Sequence, residues 1–447
     1  MKRIAVLNVV GLTRSVLAQM PRLQKWAAHR KLSSFKPAFP AVTCTAQSSY
    51  LTGKSVGEHG IVGNGWYDRD AAEVKFWKQS NHLVKGDKIW EIAGVTCAKM
   101  FWWYNMYSSA DFTATPRPLY PADGRKFFDI HTHPMGMRAE IKADLGPFPF
   151  PSFWGPKAGI GSSYWIAKSA KWIEEKESPT LNLVYLPHLD YGLQKFGPGA
   201  SEMAVEYEAI DAVTCDLIEF LEGRGVEVLV LSEYGISKVS KPVHLNRIFR
   251  EKGWIQVKDE LGLETLDCGG CQAFAVADHQ AAHVYVNDPS IAEEVRKVVL
   301  ASDGVEEIRE GKDLWGEGVG RERGGDFVAV SDADAWFTYY FWQDDAKAPD
   351  FARCIDIHRK PGYDPVELFL DPAIKFPLAK IAGFLAKKKL GFRGLMDVIP
   401  LDASLVKGSH GRDTVPEDEQ PVAIGGDAGK VGVAEDVFGW VRGRLAS

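Results

Sequence analysis

The feature that most constrains this chain is an alternation of continuous β-rich apolar runs with stretches of helical spacing. RIAVLNVVG (residues 3–11) reads as a buried strand, and MPRLQKWAAHRK follows with Pro21 suited to a first helical turn and Leu23, Trp26 and Ala27 at helical intervals. The pattern returns in LNLVYLP (181–187), in EYEAIDAVTCDLIEFLEGRG, where Ile210, Val213, Leu217 and Leu221 share a helical face, and in the strand-like VEVLVLSEYG (226–235). Buried strands alternating with amphipathic helices predict a parallel sheet covered on both faces, with ligands at the carboxyl ends of its strands.

Two regions interrupt that rhythm. Residues 105–180 are rich in Pro, Phe and Trp, which predicts a loop-rich cap inserted between core segments 1–104 and 181–447. Residues 265–375 carry further β-rich runs, and the tail EDVFGWVRGRLAS reads as a closing helix. At 447 residues the expectation is one large core with an insertion.

The net charge of −6 gives no overall basic field, so neither nucleic acid nor an anionic membrane is expected as a main partner. MKRIAVLNVVGLTRS lacks a small-x-small cleavage pattern after its short apolar run, which favours a first strand over a signal peptide and a cytoplasmic protein. No stretch is long and apolar enough to span a bilayer. Cys44, Cys97, Cys215, Cys268, Cys271 and Cys354 read as reduced thiols, mostly inside apolar runs. Cys268 and Cys271 have Cys-x-x-Cys spacing without the further soft ligands a zinc site needs.

FPAVTCTAQSSYLTG (39–53) concentrates hydroxyls on a helix that should stop at Gly53. On this stretch alone Thr43 is either a nucleophile at the positive end of a helix dipole or an ordinary N-cap. Extended to GKSVGEHGIVGNGWYDRD, it resembles the type I phosphodiesterase and nucleotide pyrophosphatase branch of the alkaline phosphatase superfamily. KIWEIAGVTCAKMFWW, VYLPHLDYGLQKFGP, VLVLSEYGI and KGSHG follow in that family's order.

The resemblance implies an α/β fold: an alkaline-phosphatase-like α/β/α sandwich with a mostly parallel central sheet and a cap insertion. It implies Thr43 as a nucleophile that becomes phosphorylated, Asn64 as an amide donor to a phosphoryl oxygen, and Asp190 and His410 as metal ligands. A divalent metal in such a site acidifies the nucleophile and screens the transition state. The departures are equally specific. Val10 stands at the first metal aspartate, Gln194 at a metal histidine, and Glu233 and Tyr234 at an Asp-His pair.

One subsite, Asp190, Gln194 and His410, keeps oxygen and nitrogen donors for Zn, Mg or Mn, so fewer than two ions are expected. In the other, Glu233 is a candidate base toward Thr43, and Tyr234 a hydrogen-bonding group or a filler of the missing ion's volume. Asp278, His279 and His283 in ADHQAAH, and Asp356 and His358 in CIDIHRKPGYD, are additional candidates; on strands His279 and His283 would share a face, as would Asp356 and His358. The reading is a metal-dependent hydrolase of phosphoester or phosphodiester bonds in a small phosphorylated metabolite. The alternative is a pseudoenzyme or binding protein that keeps the fold without the two-metal site; a transferase using Thr43 is a third possibility.

Overall fold

A computed structural model describes residues 1–123 and 125–446. The first apolar run forms the strand Ile4–Val9, buried at every position. It pairs in parallel with Leu181–Leu186 on one side and Glu227–Leu231 on the other. Strands buried on both faces must be apolar throughout rather than alternating, and these three are nearly so.

The central sheet has eight strands in the order Lys31–Ser34, Val422–Gly425, Glu227–Leu231, Ile4–Val9, Leu181–Leu186, Cys97–Met100, Phe112–Pro116, Ile130–His133. The five from Glu227–Leu231 to Phe112–Pro116 are mutually parallel, and Val422–Gly425 and Ile130–His133 pair antiparallel at the two sides. Helix Met203–Gly223 buries Ile210, Val213, Leu217 and Leu221, the face anticipated from its spacing. The tail forms the helix Asp436–Ala446.

The expected cap at 105–180 is corrected by this topology. Phe112–Pro116 and Ile130–His133 extend the central sheet, and helix Ile160–Glu177 packs beside Leu181–Leu186. Some of the aromatic residues that suggested a loop-rich insertion instead fill the core: Phe148 lies 4.7 Å from Phe101 and 5.3 Å from Trp165, ring centre to ring centre. A separate packing unit lies later in the chain. Ala273–Asp278, Ala281–Val286, Phe327–Ser331 and Val305–Glu310 form an antiparallel sheet in that order, with its own core around Phe249, Val295, Phe327 and Phe337.

Three consecutive parallel strands end together. After Ile4–Val9 comes Val10, after Leu186 the helix His188–Phe196, and after Leu231 the segment carrying Glu233 and Tyr234. The helix Thr43–Thr52 stops at Gly53, whose φ of +63° is left-handed and whose missing Cβ would stand 2.9 Å from the Phe438 ring. That position is closed to other residues by both backbone strain and contact.

The segment 360–367 encloses a buried ion cluster. Lys360 Nζ lies 2.7 Å from both Asp364 Oδ2 and Glu367 Oε1, and all three side chains are almost wholly enclosed. Removing the ammonium leaves two uncompensated buried carboxyls, so Lys360→Met is expected to cost about 3–5 kcal/mol in urea unfolding. A loss below about 1 kcal/mol would show that the cluster contributes little to stability.

Candidate active site

Thr43 is the first residue of its helix; the N-cap is Val42, and no side chain caps this end. The N-cap reading of Thr43 is thereby excluded. Its hydroxyl instead meets the Tyr234 hydroxyl at 2.9 Å. Tyr234 also donates to Asp190 Oδ1 at 3.4 Å, so its single proton points to the carboxylate and Thr43 donates to it in turn. A buried chain therefore runs Thr43 to Tyr234 to Asp190.

Asp190 and Gln194 are one turn apart on the helix His188–Phe196, and the Gln194 amide donates to Asp190 Oδ2 at 2.9 Å. The amide oxygen of Gln194, expected as a metal donor, accepts the Tyr363 hydroxyl at 2.9 Å. On the opposite face of this helix, His188, Tyr191 and Lys195 line a cleft of about 110 Å³ with Glu206.

His410 Nδ1 lies 2.7 Å from the Ala41 carbonyl. Burial drives its pKa well below the usual range, so the ring is neutral, Nδ1–H donates to Ala41, and Nε2 keeps the lone pair. Nε2 has no hydrogen-bond partner and stands 3.7 Å from Asp190 Oδ1.

The rings of Tyr234 and His410 stack at 3.6 Å and 8°. His279 follows at 3.7 Å from His410, and Tyr363 at 3.6 Å from His279. This ladder spans the strand ends of the central sheet and the hairpin of the smaller one.

Asn64 bridges the same two units. Its Oδ1 accepts the Cys44 backbone N–H at 3.0 Å, while its backbone N–H and Nδ2 donate to Asp278 at 2.7 and 3.0 Å. Asp278 also accepts from His279 Nδ1 at 2.9 Å. Glu233 Oε1 receives two amide donors, Asn8 Nδ2 and Gln47 Nε2, each at 2.6 Å. Asn8 thus braces Glu233.

Three carboxyls are buried here, and burial is the leading cause of each shift. Asp190 and Asp278 are pushed up to about 7 and Glu233 to about 8, with hydrogen bonds opposing. At neutral pH Glu233 therefore holds its proton, which corrects its expected role as the base. Asp190 is partly ionised and is the better acceptor.

Other expectations also change. His279 and His283 do not share a strand face, because the turn between Ala273–Asp278 and Ala281–Val286 places His279 at a φ of 63°. His283 contacts the Val62 carbonyl at 3.0 Å and accepts the Gly325 N–H at 3.1 Å, so both ring nitrogens are engaged. Asp356 and His358 lie outside any strand; the Asp356 backbone N–H donates to Glu367, and His358 Nδ1 contacts the Phe76 carbonyl. Gln47 and Tyr363 are site residues that sequence reading missed, and neither has a local signal beyond being polar or aromatic.

The residues do not fit a pair of divalent ions. Val10 offers no donor, Tyr234 fills the position beside Thr43, Glu233 Oε1 is held by two amides, and Gln194 Oε1 is held by Tyr363. Asp190 and His410 remain, and among the described residues no group of three or more His, Cys, Asp or Glu could hold a metal ion.

Residues 4–364 match the sequence pattern of the family described as type I phosphodiesterase / nucleotide pyrophosphatase. An uncharacterized pyrophosphatase/phosphodiesterase of Schizosaccharomyces pombe is 25% identical over 219 residues, 46% of this chain and 38% of that protein. The chain thus aligns with well under half the length of that relative. Among solved structures, murine ectonucleotide pyrophosphatase/phosphodiesterase 5 superposes with a TM-score of 0.59 at 13% identity, covering 100% of this chain and 95% of that one. An inactive form of the murine protein has been solved in complex with AMP. Phosphonoacetate hydrolase from Sinorhizobium meliloti 1021, in complex with phosphonoformate, gives 0.60 at 15% identity, covering 99% and 96%. These structural likenesses establish the alkaline-phosphatase-like fold.

Glu233 gives a stability test with a definite sign. Its folded pKa, about 8, lies above the usual 4.5, so the folded state binds the extra proton between those values. Stability from this group is therefore lost as pH rises from about 5 to 8, with a slope of at most about 1.4 kcal/mol per unit. Glu233→Gln has no such proton to release, so its stability should gain on the wild type across that window in denaturant titrations. Parallel curves would contradict the assignment.

Proposed function

Because the chain belongs to the type I phosphodiesterase / nucleotide pyrophosphatase family, we propose that it hydrolyses a phosphoester or phosphodiester bond of a small phosphorylated metabolite, with Thr43 as nucleophile. The observation that carries this reading is the hydrogen-bonded chain from Thr43 through Tyr234 to Asp190. As Thr43 Oγ1 attacks phosphorus, its proton passes to the Tyr234 oxygen while the Tyr234 proton passes to Asp190. The bond from phosphorus to the leaving oxygen breaks, and that oxygen takes a proton from water. Water then attacks the same phosphorus and the bond to Thr43 Oγ1 breaks. Asp190 returns its proton through Tyr234 to Thr43, the attacking water's proton neutralises the hydroxide left by the first step, and Thr43 and Asp190 are both restored.

Developing charge on the phosphoryl oxygens meets the positive end of the helix Thr43–Thr52. Asn64 Nδ2 spends one hydrogen on Asp278 and has a second for a phosphoryl oxygen. No step is assigned to a divalent ion, since a Zn, Mg or Mn ion would find only Asp190 and His410 as donors. The six cysteines are all unpaired, which accords with a cytoplasmic setting.

Val10 favours a second reading, in which the fold binds a phosphorylated ligand at the helix N-terminus without turning it over. The two are separated with bis(p-nitrophenyl) phosphate and intact-protein mass spectrometry. The hydrolase reading expects turnover that falls at least about a hundredfold in Thr43→Ala, and a p-nitrophenyl phosphate adduct on Thr43. Equal background rates for both proteins, with no adduct, would leave the binding reading.

A further inference from the structure

Residues 372–396 carry six cations, Lys375, Lys380, Lys387, Lys388, Lys389 and Arg393, and no acidic residue, on a chain whose net charge is −6. The centre of the run is the helix Pro377–Lys389, in which no residue is buried. It rests on the body through Pro377, Ile381 and Phe384, its half-buried positions, with Ile381 packed against the core around Tyr340 and Trp342.

The remaining apolar residues face water. Phe376, Leu378, Leu390 and Phe392 are 74%, 68%, 76% and 65% exposed, and Leu385 and Leu395 are also exposed. Lys380 pairs with Asp397 at 2.9 Å, whereas Lys387, Lys388 and Lys389 have no ion pair among the described residues.

A second exposed aromatic stretch lies close by. Tyr120, Phe127 and Phe128 are exposed, and Lys126 Nζ stands 5.6 Å from the Tyr120 ring and 5.8 Å from the Phe128 ring. Asp123, held low chiefly by the Arg125 backbone N–H, also feels the Arg393 guanidinium.

We propose that this face docks on an anionic lipid surface, with its lysines and arginines against the headgroups and its leucines and phenylalanines in the acyl boundary. Charge complementarity selects the occupant. Clustered cations interleaved with exposed Leu and Phe match an interface that offers anions and hydrocarbon at once. A nucleic acid backbone would use the cations and leave the leucines in water. The contact is peripheral, since no helix of the described residues is long and apolar enough to cross a membrane. The overall negative charge that argued against an anionic membrane averages over this local excess.

The test is co-sedimentation of the full chain with phosphatidylcholine vesicles, alone or enriched in phosphatidylglycerol. Binding is expected only to the enriched vesicles, reduced by raised salt and at least about tenfold weaker in K387E/K388E/K389E. Leu378→Ser with Leu385→Ser should also weaken it although every cation remains. These side chains are exposed, so circular dichroism should show unaltered melting. The proposal is overturned if the wild type does not sediment with enriched vesicles or if either variant binds as well as wild type. Retention on heparin or an acidic polypeptide without vesicle binding would also overturn it, in favour of a soluble polyanion.

Discussion

The hydroxyl of Tyr234, between Thr43 and Asp190, is the contact on which the rest of the site depends. A tyrosine there fixes three things at once. It occupies the space beside Thr43, it gives its hydrogen to Asp190, and its ring gives His410 a face to stack on at 3.6 Å. His410, held by the Ala41 carbonyl, then aligns His279 and Tyr363, so the smaller sheet is registered on the strand ends of the larger one.

Burial sets the electrostatics of this arrangement. Carboxyls without a nearby cation in a closed interior resist ionisation, and amides are their natural partners. Glu233 is served by Asn8 and Gln47, Asp190 by Gln194, and Asp278 by Asn64. Neutral donors around carboxyls are what a cluster requires when Val10 and Tyr234 replace ionic partners. Glu233, Tyr234 and Gln194 are each hydrogen-bonded within this interior.

Much of the fold was legible in the sequence because parallel strands buried on both faces must be almost wholly apolar, as Ile4–Val9 and Leu181–Leu186 are apart from Asn8 and Asn182. Thr43 and Asn64 were singled out through motif order; the structure joins Thr43 to Tyr234 and Asp190, and Asn64 to Cys44 and Asp278. Long-range pairing was not legible. Nothing in RIAVLNVVG says that Asn8 will meet Glu233, and nothing in PGYDP says that Tyr363 will stack on His279. His279 and His283 were misplaced because a turn interrupts the strand between them. The segment 105–180 was misread because short edge strands and core-filling aromatics resemble a loop-rich insertion in composition. Net charge hid the basic run at 372–396 because a sum carries no position.

The central claim is that Tyr234 and Asp190 take the place of an ion pair in activating Thr43. Its most direct measurement is phosphodiester turnover after exhaustive chelation, read beside the metal content of the purified chain and the rate of Tyr234→Phe. The account predicts that the chelated wild type keeps its turnover and that Tyr234→Phe loses about a hundredfold or more. Turnover that vanishes on chelation and returns with two zinc ions per chain would contradict it.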